Sequence, residues 1–228
     1  MTSEPLRVNR LNLLNFFNAG LPEAHGHHTA ITGLVGEPLA VALILHYLNR
    51  DGAQARCVAM KVTTGKMKGN RLDAWIDGGN GTLYQTEIKM WAGNAIGDLK
   101  LKSDADAEAL PAGGLRKWTE VWDAEKQTFM DISKGEKNLK VGKVLTPMQP
   151  PPGYESAHIQ PLACFWWMLQ PLGGSGPWFT VQTSDANFEE VNIFSLTAYL
   201  LSLDDETLHL DMPLLSQRLA LLEKLFKR

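Results

Sequence analysis

The residues best suited to chemistry in this chain are Asp73, Glu87 and Lys89, with Glu37 farther toward the N-terminus. In a β-strand, residues two apart face the same way, so Leu83, Gln85, Glu87 and Lys89 share one face, and Tyr84, Thr86, Ile88 and Met90 share the other. Between Asp73 and Glu87 lies Gly78-Gly79-Asn80-Gly81, a tight-turn signal that folds the two segments into a hairpin and brings the carboxylates together. Two carboxylates that close repel unless a cation sits between them. A hard divalent ion, Mg²⁺ or Mn²⁺, takes oxygen ligands in that setting, and a neighbouring lysine can orient or polarise a metal-bound water. That is equipment for phosphodiester hydrolysis. The competing reading is a cross-strand ion-pair ladder on a solvated sheet face, worth at most about 1 kcal/mol.

The elements that must position these groups follow from periodicity. Arg10 to Phe17 reads as a short helix, and a His-rich turn holds His25, His27 and His28. From Thr29 to Asn49 the apolar residues fit a second helix, with Pro38 at its first turn or inside it. If that helix runs through Glu37, its carboxylate shares a face with Gly33, Leu34, Ala40, Val41, Ile44 and Leu45 and needs a cation, either a metal or Lys89. If the helix begins at Pro38, Glu37 is a capping acid. Strands are expected over Arg56 to Val62, Arg71 to Asp77 and Thr82 to Trp91. Beyond them we expect a helix from Leu115 to Ile132, a loop from Ser133 to Lys140, a strand from Val141 to Leu145 and a stiff Pro-rich link to Gly153. A helix from Ile159 to Gln170, a strand from Trp178 to Thr183 and helices over Phe188 to Leu203 and Leu214 to Phe226 complete the pattern. The fold class is α/β, a mixed sheet flanked by helices.

A helical Glu37, a strand Asp73, a turn, then Glu87-Ile88-Lys89 on the partner strand resemble the PD-(D/E)XK nuclease superfamily, which includes many restriction and repair endonucleases. The order of elements from about 29 to 145 is similar to that superfamily's αβββαβ core, leaving 146 to 228 as a C-terminal extension of mainly helical character. The resemblance implies that Asp73, Glu87 and the main-chain carbonyl of Ile88 bind Mg²⁺ or Mn²⁺, that Glu37 assists through water, and that Lys89 handles the attacking water. It also implies a nucleic-acid substrate, DNA before RNA, and a restriction or anti-phage role. One departure is that Leu72, not proline, precedes Asp73. The acid-X-Lys pattern recurs at Asp98-Leu99-Lys100, in a glycine-flanked stretch without a paired strand acid, so context favours Glu87 and Lys89.

Composition sets the remaining bounds. The chain has 228 residues, 44% of them hydrophobic and 21% charged, enough for one domain with a packed core. The net charge of -3 does not itself favour a nucleic-acid partner, but residues 56–143 carry 15 basic against 12 acidic groups, whereas 144–228 carry 4 against 9. Lys66 and Lys68, between Gly65 and Gly69, are candidates for touching a nucleic-acid backbone, although their spacing is not a phosphate loop. Gln85 is a candidate substrate contact on the face of Glu87. Trp118 and Trp122 read as core and the His cluster as a polar turn rather than a metal site. Cys57 and Cys164 read as buried reduced thiols. No apolar run reaches membrane-spanning length and no signal peptide is visible, which leads us to expect a cytoplasmic protein. The apolar character of Phe188 to Leu203, nearly all round, raises the expectation of a homodimer or a partner subunit docked on the C-terminal half. A catalytically silent nuclease-like binding or assembly subunit is the alternative function.

Overall fold

A computed structural model of the chain describes residues 5–18, 25–63, 71–89, 118–119, 121–130, 132–134, 137–139, 141–166, 176–213, 215–217 and 220. The chemistry-bearing segment folds as a meander of β2 (Arg56–Thr63), β3 (Arg71–Asp77) and β4 (Thr82–Lys89), each strand antiparallel to the one before it. The turn between β3 and β4 requires glycine: Gly79 and Gly81 have φ of 78° and 87°, and a Cβ on Gly79 would stand 2.9 Å from the Gln54 backbone nitrogen. Next to β4 lies β9 (His158–Phe165), running parallel to it, then β11 (Glu190–Ser195), parallel to β9, and finally β10 (Trp178–Gln182), antiparallel to β11. The six-stranded order is therefore β10-β11-β9-β4-β3-β2, a mixed sheet in an α/β fold.

One face of this sheet packs under helix α2 (His25–Asn49), whose Leu39 to Ile44 segment is buried against Ala74, Ile76, Tyr84, Ile88, Leu162 and Cys164. Helices α1 (Arg10–Asn18) and α3 (Leu196–Leu201) share that layer with a two-stranded ribbon of β1 (Leu6–Asn9) and β12 (Thr207–Leu210). The other face is covered by a hairpin of β5 (Trp122–Asp123) and β6 (Thr128–Phe129), and by a 3-10 turn over Gly142–Leu145. Trp118, Val121, Trp122, Phe129, Val144 and Leu145 pack there on Ala163, Phe165 and Ile193. A further two-stranded pair joins β7 (Ile132–Lys134) to β8 (Lys137–Leu139). Among the described residues, no helix is long and apolar enough to cross a membrane.

Several expectations are corrected. The helix expected over Ile159 to Gln170 is strand β9 as far as Phe165, and the helix expected over Phe188 to Leu203 is strand β11 over Glu190–Ser195 and helix only from Leu196 to Leu201. Both runs are buried on both faces. Leu162 and Cys164 enter one core cluster while Ala163 and Phe165 enter the other, and an interior parallel strand then shows an unbroken apolar run that periodicity cannot separate from a buried helix. The C-terminal part is thus half of the central sheet and not a helical extension. The apolar residues that suggested a dimer, Val191, Ile193, Phe194, Leu196, Tyr199 and Leu200, are buried within this chain. The helix expected from Leu115 to Ile132 is helical at Trp118, Thr119 and Val121, but residues 122–129 form a hairpin, because Asp123 Oδ1 accepts the backbone N–H groups of Glu125 and Lys126 and turns the chain. Part of the Ser133 to Lys140 loop is paired strand, and the strand expected at Val141 to Leu145 is the 3-10 turn, with Val144 N–H donating to Val141 O. The His-rich turn is the first turn of α2, which begins at His25. Trp118 and Trp122 are core, stacked with centroids 5.3 Å apart. Both cysteines are free, but only Cys164 is buried and Cys57 is half-buried.

Candidate functional site

The sheet forks where its chemistry-bearing residues lie. Strands β3 and β4 stay paired only as far as Ala74 opposite Thr86, one step short of Asp73 and Glu87. Beyond that point β3 remains with β2 through Leu72 and Arg71, while β4 remains with β9 through Lys89. Asp73 and Glu87 are the next residues on the two strands, at the mouth of the fork, and the Glu87 charge acts on the Asp73 carboxyl there. Asp73 Oδ2 reaches across and accepts the backbone N–H of Ile88 at 2.8 Å, replacing the ladder bond that β3 no longer supplies. Because N–H and C=O of one strand residue point to the same side, the Ile88 carbonyl is also directed toward the fork. The fork lies at the carboxyl ends of the parallel strands β4, β9 and β11, the edge of an open α/β sheet where ligands usually bind.

Glu87 is buried, with 1% of its surface exposed, and a cation stands on each of its oxygens. Lys89 Nζ is 2.5 Å from Oε1 and Lys143 Nζ is 2.7 Å from Oε2. Lys89 comes from the same strand, two residues on. Lys143 comes from the 3-10 turn, a residue that sequence reasoning places in a strand over Val141 to Leu145 and gives no role. Burial, and next the charge of Glu87, push the Asp73 carboxyl up to about 6, against the opposing pull of the Ile88 N–H, Lys143 and Lys89. The face carrying Glu87 is therefore covered, and a solvated ion-pair ladder does not describe it.

Gln85 has a different role from the substrate contact expected of it. It is fully buried, its Nε2 donates to the carbonyls of Val144 and, at 3.1 Å, Thr146, and its Oε1 accepts from Met148 N–H at 3.3 Å. One side chain from β4 thus clamps the segment that carries Lys143 onto the face that carries Glu87. Gln85→Leu keeps the volume but leaves backbone groups of 144–148 without their partner. It should lower unfolding stability by about 2–4 kcal/mol, since each buried polar group left unsatisfied costs about 1–3 kcal/mol. Chemical denaturation measures this, and a loss below about 0.5 kcal/mol would show that the clamp is dispensable.

Comparison with known proteins finds no match: no family model, no curated protein and no solved structure. The chemistry has to be read from the geometry. The fork brings together Asp73, Glu87, Ile88 and Lys89, four of the residues singled out by the sequence. Glu37 lies in the interior of α2, so it is not a capping acid, and it is half-buried in the layer on the other face of the sheet. Lys66, Lys68 and the competing Asp98-Leu99-Lys100 motif lie outside the described residues. Among the described residues, no group of three or more His, Cys, Asp or Glu side chains is arranged to hold a metal ion. The donors at the fork are two carboxylates and a main-chain carbonyl, all oxygen, a set of the type that hard divalent cations take.

Proposed function

We propose that the protein is a metal-dependent nuclease of the PD-(D/E)XK kind that hydrolyses phosphodiester bonds, with DNA the favoured substrate. The observation that carries the reading is the fork: two carboxylates opposed across splayed strands, with a lysine from the acid-X-Lys motif on one of them. Helix α2, the β2–β4 meander and a strand parallel to β4 also support it as parts of the αβββαβ order, although that strand is β9 at His158–Phe165 and not Val141 to Leu145, and a hairpin stands over Trp122–Phe129 where the second helix was expected. Asp73, Glu87 and the Ile88 carbonyl would hold Mg²⁺ or Mn²⁺, which would supply Lewis-acid activation of water and charge stabilisation at the phosphate. Lys89 orients the attacking water and stabilises negative charge developing on the phosphate oxygens. Burial of Glu87 keeps its carboxylate from rotating toward solvent, and the Ile88 N–H fixes one oxygen of Asp73, so little reorganisation remains at the moment of reaction.

Incubation of the purified chain with plasmid, linear duplex, single-stranded DNA and RNA, each in Mg²⁺, Mn²⁺ or chelator, tests the proposal. Cleavage that needs the metal and disappears in Glu87→Gln is the expected result. A wild type that leaves every substrate intact in both metals would refute catalysis by the isolated chain.

One observation favours a second reading. Asp73, Glu87, Lys89 and Lys143 form a quartet of two negative and two positive groups, which reaches neutrality with no metal. In that case the fold is a catalytically silent nucleic-acid-binding or assembly subunit, and the quartet serves stability. Calorimetric titration with Mn²⁺ separates the two, since the silent fold takes up no cation at the fork.

A further inference from the structure

Lys143 is the part of the quartet that neither the acid-X-Lys motif nor the strand pattern accounts for. It sits on a separate element, the 3-10 turn, whose Val144 and Leu145 are locked into the core cluster over Ala163 and Phe165 and whose backbone is clamped by Gln85. The turn is therefore fixed, while the Lys143 side chain keeps 23% of its surface, more than Lys89 with 16% or Glu87 with 1%. Its ammonium takes Glu87 Oε2, the oxygen that Lys89 leaves open. An ammonium and a divalent cation cannot share that oxygen at bonding distance without strong repulsion in a poorly solvated site.

We propose that Lys143 is a place-holding cation at this site, paired with Glu87 Oε2 in the metal-free protein and transferred to a phosphate oxygen of the nucleic-acid backbone when Glu87 binds metal. This rests on the nuclease reading given above and adds a substrate-binding residue to it. The exchange is an ionic one: the Lys143–Glu87 pair breaks, a Lys143–phosphate pair forms, and no proton moves. Glu87 keeps a cationic partner on each oxygen in both states, which explains why a buried glutamate at a substrate site carries two lysines when a single acid-X-Lys motif supplies only one. Four methylenes separate the ammonium from a fixed backbone, so the change of partner needs only rotation about side-chain bonds. Lys89, two residues from Glu87 on the same strand, remains at the carboxylate throughout.

The test uses the full chain with Mn²⁺ alone and, separately, a short DNA duplex in Ca²⁺ to limit cutting. In Lys143→Met the competing ammonium is gone, and Mn²⁺ affinity by calorimetry should rise about three- to tenfold. DNA affinity should fall about tenfold, the effect of one lost charge-assisted contact. The slope of log K against log salt should become shallower by about 0.9, the signature of one phosphate contact, and Lys143→Arg should restore it. Lys126→Met, which removes an exposed partner of Asp123, is the control and should leave Mn²⁺ affinity unchanged. If the wild type binds Mn²⁺ and DNA while Lys143→Met matches it in metal affinity and salt slope, the role of Lys143 is overturned and the nuclease reading stands. If the wild type binds no Mn²⁺, both fall. Lys143→Gln gives the same comparison should the methionine variant fold poorly.

Discussion

Lys89→Ala is expected to cut nucleic acid about 10²–10⁴-fold more slowly than the wild type, the usual range for loss of a positioned acid–base group. Mn²⁺ binding and most of the substrate affinity should survive, because the interactions of Lys89 that matter for rate develop in the transition state. The quartet makes this a fair test of chemistry. Removing the only partner of a buried carboxylate costs about 3–5 kcal/mol, enough to confuse inactivity with unfolding. Here Glu87 keeps Lys143 on its second oxygen, so the variant should remain folded with a smaller loss. Lys100→Ala tests the alternative motif, and it should cut as the wild type does. A Lys89→Ala protein with native circular dichroism and undiminished cleavage, beside an inactive Lys100→Ala protein, would move the site to Asp98 and Lys100.

Much of this site was legible in the sequence because short-range rules govern it. Alternation along Arg71 to Asp77, the glycine turn and the two-residue spacing of Glu87 and Lys89 are enough to build the β3–β4 hairpin, and the hairpin opposes Asp73 to Glu87. Two of the misread elements share a cause. Strands β9 and β11 are interior and parallel, covered on both faces, so the alternation that reveals β3 is absent from them. Lys143 was invisible for another reason. It meets Glu87 across 56 positions of sequence through a turn held by the side chain of Gln85, and nothing in the local pattern of Gly142–Leu145 marks such a long-range contact. Gln85 stands among Thr82, Thr86, Glu87 and Lys89 on its strand, so its polar identity does not mark it as a fully buried amide that must find partners. It points inward to packing and not outward to substrate.

Asp73→Asn should separate the electrostatics of the fork from its packing, through opposite effects with and without metal. In the folded chain the Asp73 carboxyl is raised from 3.8 to about 6, by burial first and by Glu87 second. A carboxyl whose folded value lies above its unfolded value holds its proton more tightly when folded. Its contribution to stability is therefore present at low pH and is lost as pH rises from about 4 to about 6. A gap of about two units corresponds to roughly 3 kcal/mol, which the ionised site lacks at neutral pH. Asparagine removes the titration and can still accept the Ile88 N–H, so the metal-free variant should be more stable than the wild type at pH 8 by up to about 3 kcal/mol. At roughly 2–4 °C of Tm per kcal/mol for a chain of this size, thermal denaturation resolves the difference. At pH 4 the two proteins should melt together. Saturating Mn²⁺ should reverse the order at pH 8, because binding to the native state stabilises only the protein that keeps the second carboxylate. The wild type should also lose Mn²⁺ affinity as pH falls below about 6, since a proton and a cation compete for Asp73. A variant that melts below the wild type at pH 8 without metal, or that gains as much from Mn²⁺ as the wild type does, would show that Asp73 is a structural hydrogen-bond acceptor and not a ligand.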